Sequence, residues 1–278
     1  MAISYLFSYA VCPMAIVGDL LRPIAVVKYY PEYETLEEIA RDFNQNWVTA
    51  VEMLTSDIYL GAENFHNIFA LRRNPNSPSE EVRCRLDTVG LYNLGEMINK
   101  FMRGSLVMAN NSSVASMNNN PIETLSSDSM DDQNKGESHR LSLGIGSQTL
   151  YATVDGSIGS VVGLDARTTS FFLALQRSMN RVIVPVGNLK HDAFRSYRGQ
   201  RKHQTCRGFV DGDLVESFCE LDLALMEAIV ADMNKDGRWA LNTSTSNKAK
   251  GGTARSEARK DLTVGDVITM VEDMSMAH

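Results

Sequence analysis

The chain has 278 residues, of which 44% are hydrophobic, and a formal net charge of −7 at pH 7. This length holds one large domain or two small ones with true cores. Residues 1–139 carry 10 basic and 18 acidic side chains, which disfavours an extended phosphate-binding face there, whereas residues 140–278 carry 17 and 16. The four scattered cysteines form no CxxC pair and have no histidine at metal-ligand spacing, so we predict a reducing compartment, no metal site and no cofactor.

The first apolar segment covers residues 1–17 and contains no charge. It imitates a signal peptide, but no basic region precedes it and Pro13 interrupts the apolar run. Asp19 and Arg22 end the run before it reaches the length of a membrane span. We therefore predict a strand preceded by an accidental or alternative start, and no contact with a membrane.

Three later segments share a plan of apolar strand, tight turn and apolar strand, and they cover residues 15–30, 58–73 and 149–164. Glycine, aspartate and asparagine lie in their turns, where they tolerate a positive φ or bond their own backbone. The first two begin 43 residues apart, the size of one four-stranded propeller blade, and the segments WVTAVEML and MINKFMRGSLVMA indicate further strands. We predict a partial β-propeller of two to three blades over residues 1–164, with a disordered polar insertion at about 109–139.

After Leu164 the spacing of apolar residues changes to that of a helix. The residues on this predicted helical face are Phe171, Leu175, Met179 and Val182. Further along, Asp213 followed by Glu216 predicts an aspartate version of a capping box at the start of another helix.

A last helix is predicted to start at Thr263, with Asp266 at the box position and with Leu262 and Val267 placed for a hydrophobic staple. Residues 237–260 are polar with a net charge of +5, which indicates a disordered basic insertion. The predicted fold class is therefore mainly β with a C-terminal helical domain, a small α-helical bundle, over residues 165–278.

Residues 232–237 match the beginning of a calcium-binding loop, because Asp232, Asn234 and Asp236 supply oxygen ligands at alternate positions and Gly237 follows. The twelfth position should hold a bidentate glutamate but is Thr243, so we favour a helix C-terminus that turns at Asp236 and Gly237. No motif of nucleophilic catalysis is present, and His191, just before a predicted helix, is interpreted as a structural histidine rather than a catalytic base. We predict that the protein is not an enzyme.

Two other features each allow more than one interpretation. The basic residues Arg195, Arg198, Arg201 and Lys202 lie in a run without a carboxylate, which is typical of nucleic-acid contact, of a solvated helix end or of a surface for acidic partners. Trp47 follows a polar DFNQN stretch, so it is either a core residue or an interface residue of the kind that contributes most binding energy.

Six blocks of sequence carry a resemblance to a known family: VGDLLR (17–22), EEIARDFNQNWVTAVEML (37–54), LGAENFHNIF (60–69), VGLYNLGEMINKFMRGSLVM (89–108), TVDGSIG (153–159) and RGFVDGDLVESF (207–218). The chain resembles the C-terminal end of the cleavage-and-polyadenylation-factor A-subunit family. Within that family, EEIARDF and LGAENFHNIF favour the adaptors of cullin-4 ubiquitin ligases over the polyadenylation and splicing-factor-3b relatives.

The resemblance implies a protein of three propellers and a C-terminal helical domain, in which the first and third propellers grip WD40-type substrate receptors and the middle one docks the cullin. This chain would correspond to the last blades of the third propeller plus the helical domain. Cullin docking is therefore not expected of it. We expect a truncated gene model, a fragment or a degenerate paralogue.

The resemblance also implies a function and a set of site residues. The function is that of a non-enzymatic adaptor in DNA damage repair and ubiquitin-dependent protein turnover, in the nucleus and cytoplasm; the alternative is an RNA-processing scaffold that contacts nucleic acid through residues 195–207 and 238–260. Six residues match the receptor-binding wall of the family, with a methionine in place of an aromatic residue: Arg22, Arg41, Trp47, Met97, Asn99 and Val154.

Overall fold

A computed structural model describes residues 2–6, 14–19, 23–44, 46–106, 145–199, 203–237, 239 and 261–276. Antiparallel sheets lie in the described part of the chain up to Leu164, and helices predominate after it. The insertion predicted at about 109–139 lies outside the described residues, as does the one at 237–260 except for Gly237 and Trp239.

The strands form three larger sheets and one short hairpin within the described residues. The first sheet has the order β1 (Ala2–Leu6), β2 (Met14–Gly18), β3 (Ala25–Tyr30) and β4 (Thr35–Arg41). The second has the order β5 (Val48–Met53), β6 (Ile58–Glu63), β7 (Asn67–Arg73) and β8 (Leu86–Asn93), with α1 (Glu80–Arg83) before its last strand. The third contains β9 (Ile98–Arg103), β10 (Ile145–Thr153) and β11 (Ile158–Leu164). The three predicted hairpins are confirmed as β2–β3, β6–β7 and β10–β11, whereas their assembly into propeller blades stays a prediction.

The second sheet is buried on both faces, which explains why its middle strands are almost continuously apolar rather than alternating. Tyr59 and Phe69 pack in one apolar cluster with residues of the first sheet, while Leu60 and Ile68 pack in another with β9. The hydroxyl of Thr49 donates to the carbonyl of Ile98 over 2.7 Å and links the start of β5 to the start of β9.

The helical part contains α2 (Ala166–Val182), α3 (His191–Phe194), α4 (Gly212–Glu216), α5 (Leu223–Asp236) and α6 (Val264–Ser275). Short 3-10 turns cover Val186–Asn188 and Ser217–Glu220, and a hairpin of β12 (Tyr197–Arg198) and β13 (His203–Gln204) follows α3. The predicted apolar face of α2 is confirmed, because Phe171, Leu175 and Met179 are buried in one cluster with residues of α4, α5 and α6. Among the described helices, none combines the length and the apolar character needed to cross a membrane.

Of the two predicted capping boxes, one is confirmed and the other is wrong. Thr263 and Asp266 exchange the reciprocal hydrogen bonds of a capping box at the start of α6. At α4 the N-cap is Asp211, whose carboxylate accepts from the backbone N–H of Leu214. Asp213 instead lies in the first turn with 94% of its side chain exposed.

The favoured interpretation of residues 232–237 is also confirmed, since α5 ends at Asp236 and Gly237 adopts a left-handed conformation. Asp232 and Asp236 form ion pairs with Arg181 of α2. The side chain of Asn234 binds both the carbonyl and the N–H of Leu262 over 3.0 Å. These residues therefore hold three helical segments together.

The outer strand of the second sheet is covered by the segment that connects α3 to α4. The N–H groups of Leu91 and Arg207 each donate to the carbonyl of the other over 2.8 and 2.9 Å. Next to this bridge, Gly208 has φ +72° and lies directly on the backbone of Val89 and Gly90. Because an uncovered outer strand would present unpaired N–H and C=O groups, this segment protects the sheet from edge-to-edge association.

We predict that Gly208→Ala destabilises the protein by more than the strain of a left-handed residue, which is about 1–2 kcal/mol. A Cβ at this position would overlap the carbonyl oxygen of Val89 and force Arg207 away from Leu91. Gly187→Ala is the matched control, since Gly187 has a similar φ of +62° but no atom within 4 Å of a Cβ. Urea unfolding followed by circular dichroism measures both variants, and equal losses would contradict the prediction.

Candidate protein-docking surface

Four connections lie along one edge of the second and third sheets because of how the strands pair. Val48 at the start of β5 lies opposite Glu63 at the end of β6, Glu63 opposite Asn67, and Asn67 opposite Asn93 at the end of β8. In the third sheet the first residue of β9 lies opposite the last of β10. Residues 46–47, 64–66, 94–97 and 154–157 therefore share this edge, which we call the docking edge.

Backbone hydrogen bonds tie these connections to each other. The carbonyl of Trp47 accepts from the N–H of Asn64 over 3.1 Å, and the carbonyl of His66 accepts from Leu94 over 2.9 Å. The N–H of Val154 donates to the carbonyl of Met97 over 2.9 Å. The structure thus brings three of the predicted receptor-binding residues, Trp47, Met97 and Val154, to the same edge.

The docking edge exposes apolar side chains. Trp47 is 47% exposed and its ring centroid lies 6.4 Å from that of Phe65, which is 36% exposed. Val154 is 57% exposed, and Met97 is partly buried. Trp47 is therefore not a core residue. A half-exposed tryptophan beside a second aromatic ring is typical of the centre of a protein interface, where large rings contribute most of the binding energy.

Next to Trp47 in the chain, Asn46 belongs to a polar network that sequence reasoning missed. The hydroxyl of Tyr197, on β12, has two acceptors for its one proton, Oδ1 of Asn46 at 3.2 Å and the carboxylate of Glu63. Asn67 donates to Oε1 of Glu63 over 2.5 Å. Burial raises the pKa of the Glu63 carboxyl, an effect that the hydrogen bonds from Asn67 and Tyr197 partly offset. The signal in the sequence was a glutamate and an asparagine within the apolar run LGAENFHNIF.

Asn67 also holds β12 directly. Its side-chain amide donates to the carbonyl of Arg198 over 2.9 Å, and its carbonyl oxygen accepts from the N–H of Arg198 over 3.2 Å. This reciprocal pair imitates the hydrogen bonding of a neighbouring strand. The β12–β13 hairpin is thus held against the docking edge, where Trp47 is exposed.

A second buried network, centred on Asp211, joins the helical part to β8. Its carboxylate is 2.7 Å from Nε2 of His191 and 2.7 Å from Nε of Arg195, and it also hydrogen bonds to Tyr92. Burial alone would raise the pKa of Asp211, but the hydrogen bonds from His191 and Arg195 outweigh it and hold the pKa well below its usual range. The backbone N–H of Asp211 donates to Gln176 of α2 over 2.9 Å. His191 is therefore a structural histidine, as its sequence context predicted.

The remaining predicted receptor-binding residues do not join this cluster. Arg41 is paired with Glu38 through Nε and Nη2, and its backbone lies beside Cys84 and Arg85, at the start of β8 rather than at the end near Trp47. Asn99 is exposed on β9, two residues beyond Met97. Arg22 lies outside the described residues.

The basic run is also divided by the structure. The side chain of Arg195 is only 11% exposed and binds Asp211 and the carbonyl of Leu94, so the run does have a carboxylate partner, 16 residues further along the chain. Arg198 is exposed. Arg201 and Lys202 lie outside the described residues. The structure therefore does not present these four side chains as one cationic surface.

Comparison with known proteins gives a consistent result. Residues 5–220 match the model of a family described as the CPSF A subunit region. The chain is 36% identical to DNA damage-binding protein 1 of Oryza sativa subsp. japonica over 218 residues, which are 78% of this chain and 17% of that protein. It is 37% identical to DNA damage-binding protein 1a of Arabidopsis thaliana over 219 residues, 79% of this chain and 18% of that protein. The chain thus spans less than a fifth of the length of these relatives, and the matches confirm the resemblance drawn from its sequence blocks.

We predict that Tyr197→Phe loosens residues 46–47, because the variant lacks the hydroxyl proton for which Asn46 and Glu63 are the acceptors. In a Trp239→Phe background Trp47 is the only tryptophan. Acrylamide quenching of its emission, excited selectively over tyrosine, should therefore increase, with a stability loss of about 1–2 kcal/mol. Tyr59→Phe is the control, since Tyr59 donates to the carbonyl of Ser56 at the other end of the second sheet. Equal quenching in the two variants would contradict the role assigned to Tyr197.

We predict that Asp211→Asn lowers the free energy of unfolding by about 3 kcal/mol at neutral pH, because Arg195 is left without its buried counter-charge. The pKa of Asp211 is lowered on folding, so its contribution is present above its unfolded pKa of about 3.9 and is lost as pH falls below it. The difference between wild type and variant should therefore shrink when urea unfolding is repeated at about pH 3.

Asp213→Asn is the matched control for this experiment. Asp213 lies 3.7 Å from the same guanidinium but is 94% exposed, so its loss should cost less than about 1 kcal/mol. Two outcomes would show that the buried pair does not stabilise the contact between the helical part and β8. One is a loss of unfolding free energy in Asp213→Asn as large as that in Asp211→Asn. The other is a difference between wild type and Asp211→Asn that does not change with pH.

Proposed function

Because the chain belongs to the CPSF A subunit family, we propose that it is a non-enzymatic scaffold whose docking edge binds a WD40-type substrate receptor of a cullin-4 ubiquitin ligase. The observation that carries the proposal is the half-exposed Trp47, which lies beside Phe65 and directly follows Asn46, a member of the polar network. Since hydrogen bonds hold the backbone of Trp47 on Asn64 and the side chain of Asn46 on Tyr197, less ordering of this connection is needed when a partner covers the ring.

The charged residues of the receptor-binding set have a secondary place in this proposal. Arg41 keeps its guanidinium on Glu38, so its contact with a partner would be made by an existing ion pair rather than by a free cation. Arg22 and Asn99 would add polar contacts with the receptor, since charge-assisted hydrogen bonds fix the orientation of a partner. No cullin contact is assigned to any of these residues.

We further propose that residues 1–164 are the last blades of a propeller and residues 165–278 a helical domain. The consecutive antiparallel sheets, with β5 packed between β1, β2 and β9, are consistent with blades around a common axis. The apolar cluster of the helical part draws its members from residue 164 onward, as expected for a separate core.

The biological setting is part of the proposal and is supported by the relatives' names, DNA damage-binding protein 1 and 1a. We propose that this chain acts in DNA damage repair and ubiquitin-dependent protein turnover, in the nucleus and cytoplasm. The alternative of an RNA-processing scaffold loses one of its cations, because Arg195 uses its charge within the protein. Arg198 and Arg207 are exposed, whereas Arg201, Lys202 and residues 240–260 lie outside the described residues.

Trp47→Ala is expected to weaken binding of a purified WD40-type receptor by about 2 kcal/mol, or roughly thirtyfold, because it removes the largest apolar contact of the docking edge. Biolayer interferometry with the immobilised chain measures the change. Tyr33→Ala is the matched control, since Tyr33 is an aromatic residue with 72% exposure in the β3–β4 turn. If wild type and Trp47→Ala bind the receptor with equal affinity, the docking edge is not the receptor site.

A further inference from the structure

A groove on the helical part involves none of the residues of the docking edge. It has a volume of about 1000 Å³ and lies between α2, the segment 183–194 and residues 205–209. Its apolar lining includes Leu173, Met179, Ile183, Phe209 and Leu214. A groove of this size, open to the surface and lined by aliphatic and aromatic side chains, can take several side chains of a partner.

One side of the groove carries a patch of strongly exposed apolar residues. Val184 is 87% exposed, Val186 95%, Leu189 52% and Phe194 47%. The backbone itself holds them outward, because α2 ends at Val182 and the chain then turns through the 3-10 segment Val186–Asn188. Single exposed apolar residues are ordinary, but four within eleven positions beside a groove form a patch of the kind that marks an interaction site.

The charge around the groove has one predominant sign. Its lining contains four cationic side chains, Arg177, Arg181, Lys190 and Arg207, and one carboxylate, Asp192. Arg181 is occupied by Asp232 and Asp236, whereas Arg177, Lys190 and Arg207 are exposed and form no ion pair with any carboxylate of the described residues. An occupant with carboxylates would gain three charge-assisted contacts at the rim.

We propose that this groove binds an acidic, apolar polypeptide segment of a partner protein. Leucine or aromatic side chains of that segment fill the groove between Ile183 and Phe209, and its carboxylates face Arg177, Lys190 and Arg207. Nucleic acid would use the same cations but not the aliphatic patch, since bases stack on flat rings and gain little from Val184 and Val186. The combination of cations with exposed aliphatic residues therefore favours a peptide.

The test uses the full chain and a short fluorescein-labelled peptide of glutamate and leucine, followed by fluorescence anisotropy across a salt series. We expect saturable binding that weakens as salt rises, and no binding of the same peptide with lysine in place of glutamate. The double variant Arg177→Glu, Lys190→Glu should lose on the order of tenfold in affinity. Val186→Ser should weaken binding on the order of threefold without changing stability, because the side chain is 95% exposed.

Matched controls separate this site from general charge and from the docking edge. Arg72→Glu with Lys100→Glu makes the same change of net charge at exposed positions outside the groove, and should leave peptide affinity unchanged. Trp47→Ala should also leave it unchanged, so this experiment can succeed or fail independently of receptor binding. Three results would each overturn the proposal. The first is that the peptide does not bind, and the second is that the double variant of Arg177 and Lys190 binds it as tightly as wild type. The third is that a short labelled RNA binds more tightly than the peptide.

Discussion

The attachment of residues 193–199 and 203–211 to the second sheet is the constraint on which the rest of the structure depends. Two buried polar networks make this attachment, one around Glu63 and one around Asp211. A buried carboxylate without partners would cost several kcal/mol, so each network is stable only while the strand and the C-terminal segment keep their relative positions. The buried polar contacts therefore determine where the helical part joins the sheets. Apolar contacts alone are not directional and would determine this position less well.

The same constraint explains what sequence reasoning could reach and what it could not. Hairpins and the capping box at Thr263 are local features that follow from periodicity and from residues three positions apart. In VDGD, by contrast, both aspartates have the local chemistry of an N-cap. Asp211 takes that place because it also meets Arg195 and His191, which approach from elsewhere in the chain. Such a choice is tertiary, and one sequence does not reveal it.

In the candidate site, too, some features follow from the local sequence and others only from the tertiary structure. Strand pairing places the connections that contain Trp47, Met97 and Val154 along one edge, whereas their part in receptor binding stays a prediction. Arg41 was expected in the same site, but it is the last residue of a strand in another sheet and lies near the start of β8. Residue type and motif identify candidates, whereas register decides which of them are neighbours.

Residues 193–199 and 203–209 take part in both proposed surfaces. Tyr197 holds Asn46, the neighbour of Trp47, at the docking edge, while Arg207 and Phe209 line the groove on the helical part. Between them, the bridge from Arg207 to Leu91 holds the segment on β8. Each surface has its own attachment of this part of the chain to the second sheet: Asn67 of β7 holds Arg198, and Leu91 of β8 holds Arg207. Because the two attachments use different strands and different hydrogen bonds, the docking edge and the groove are stabilised by separate contacts of the same sheet.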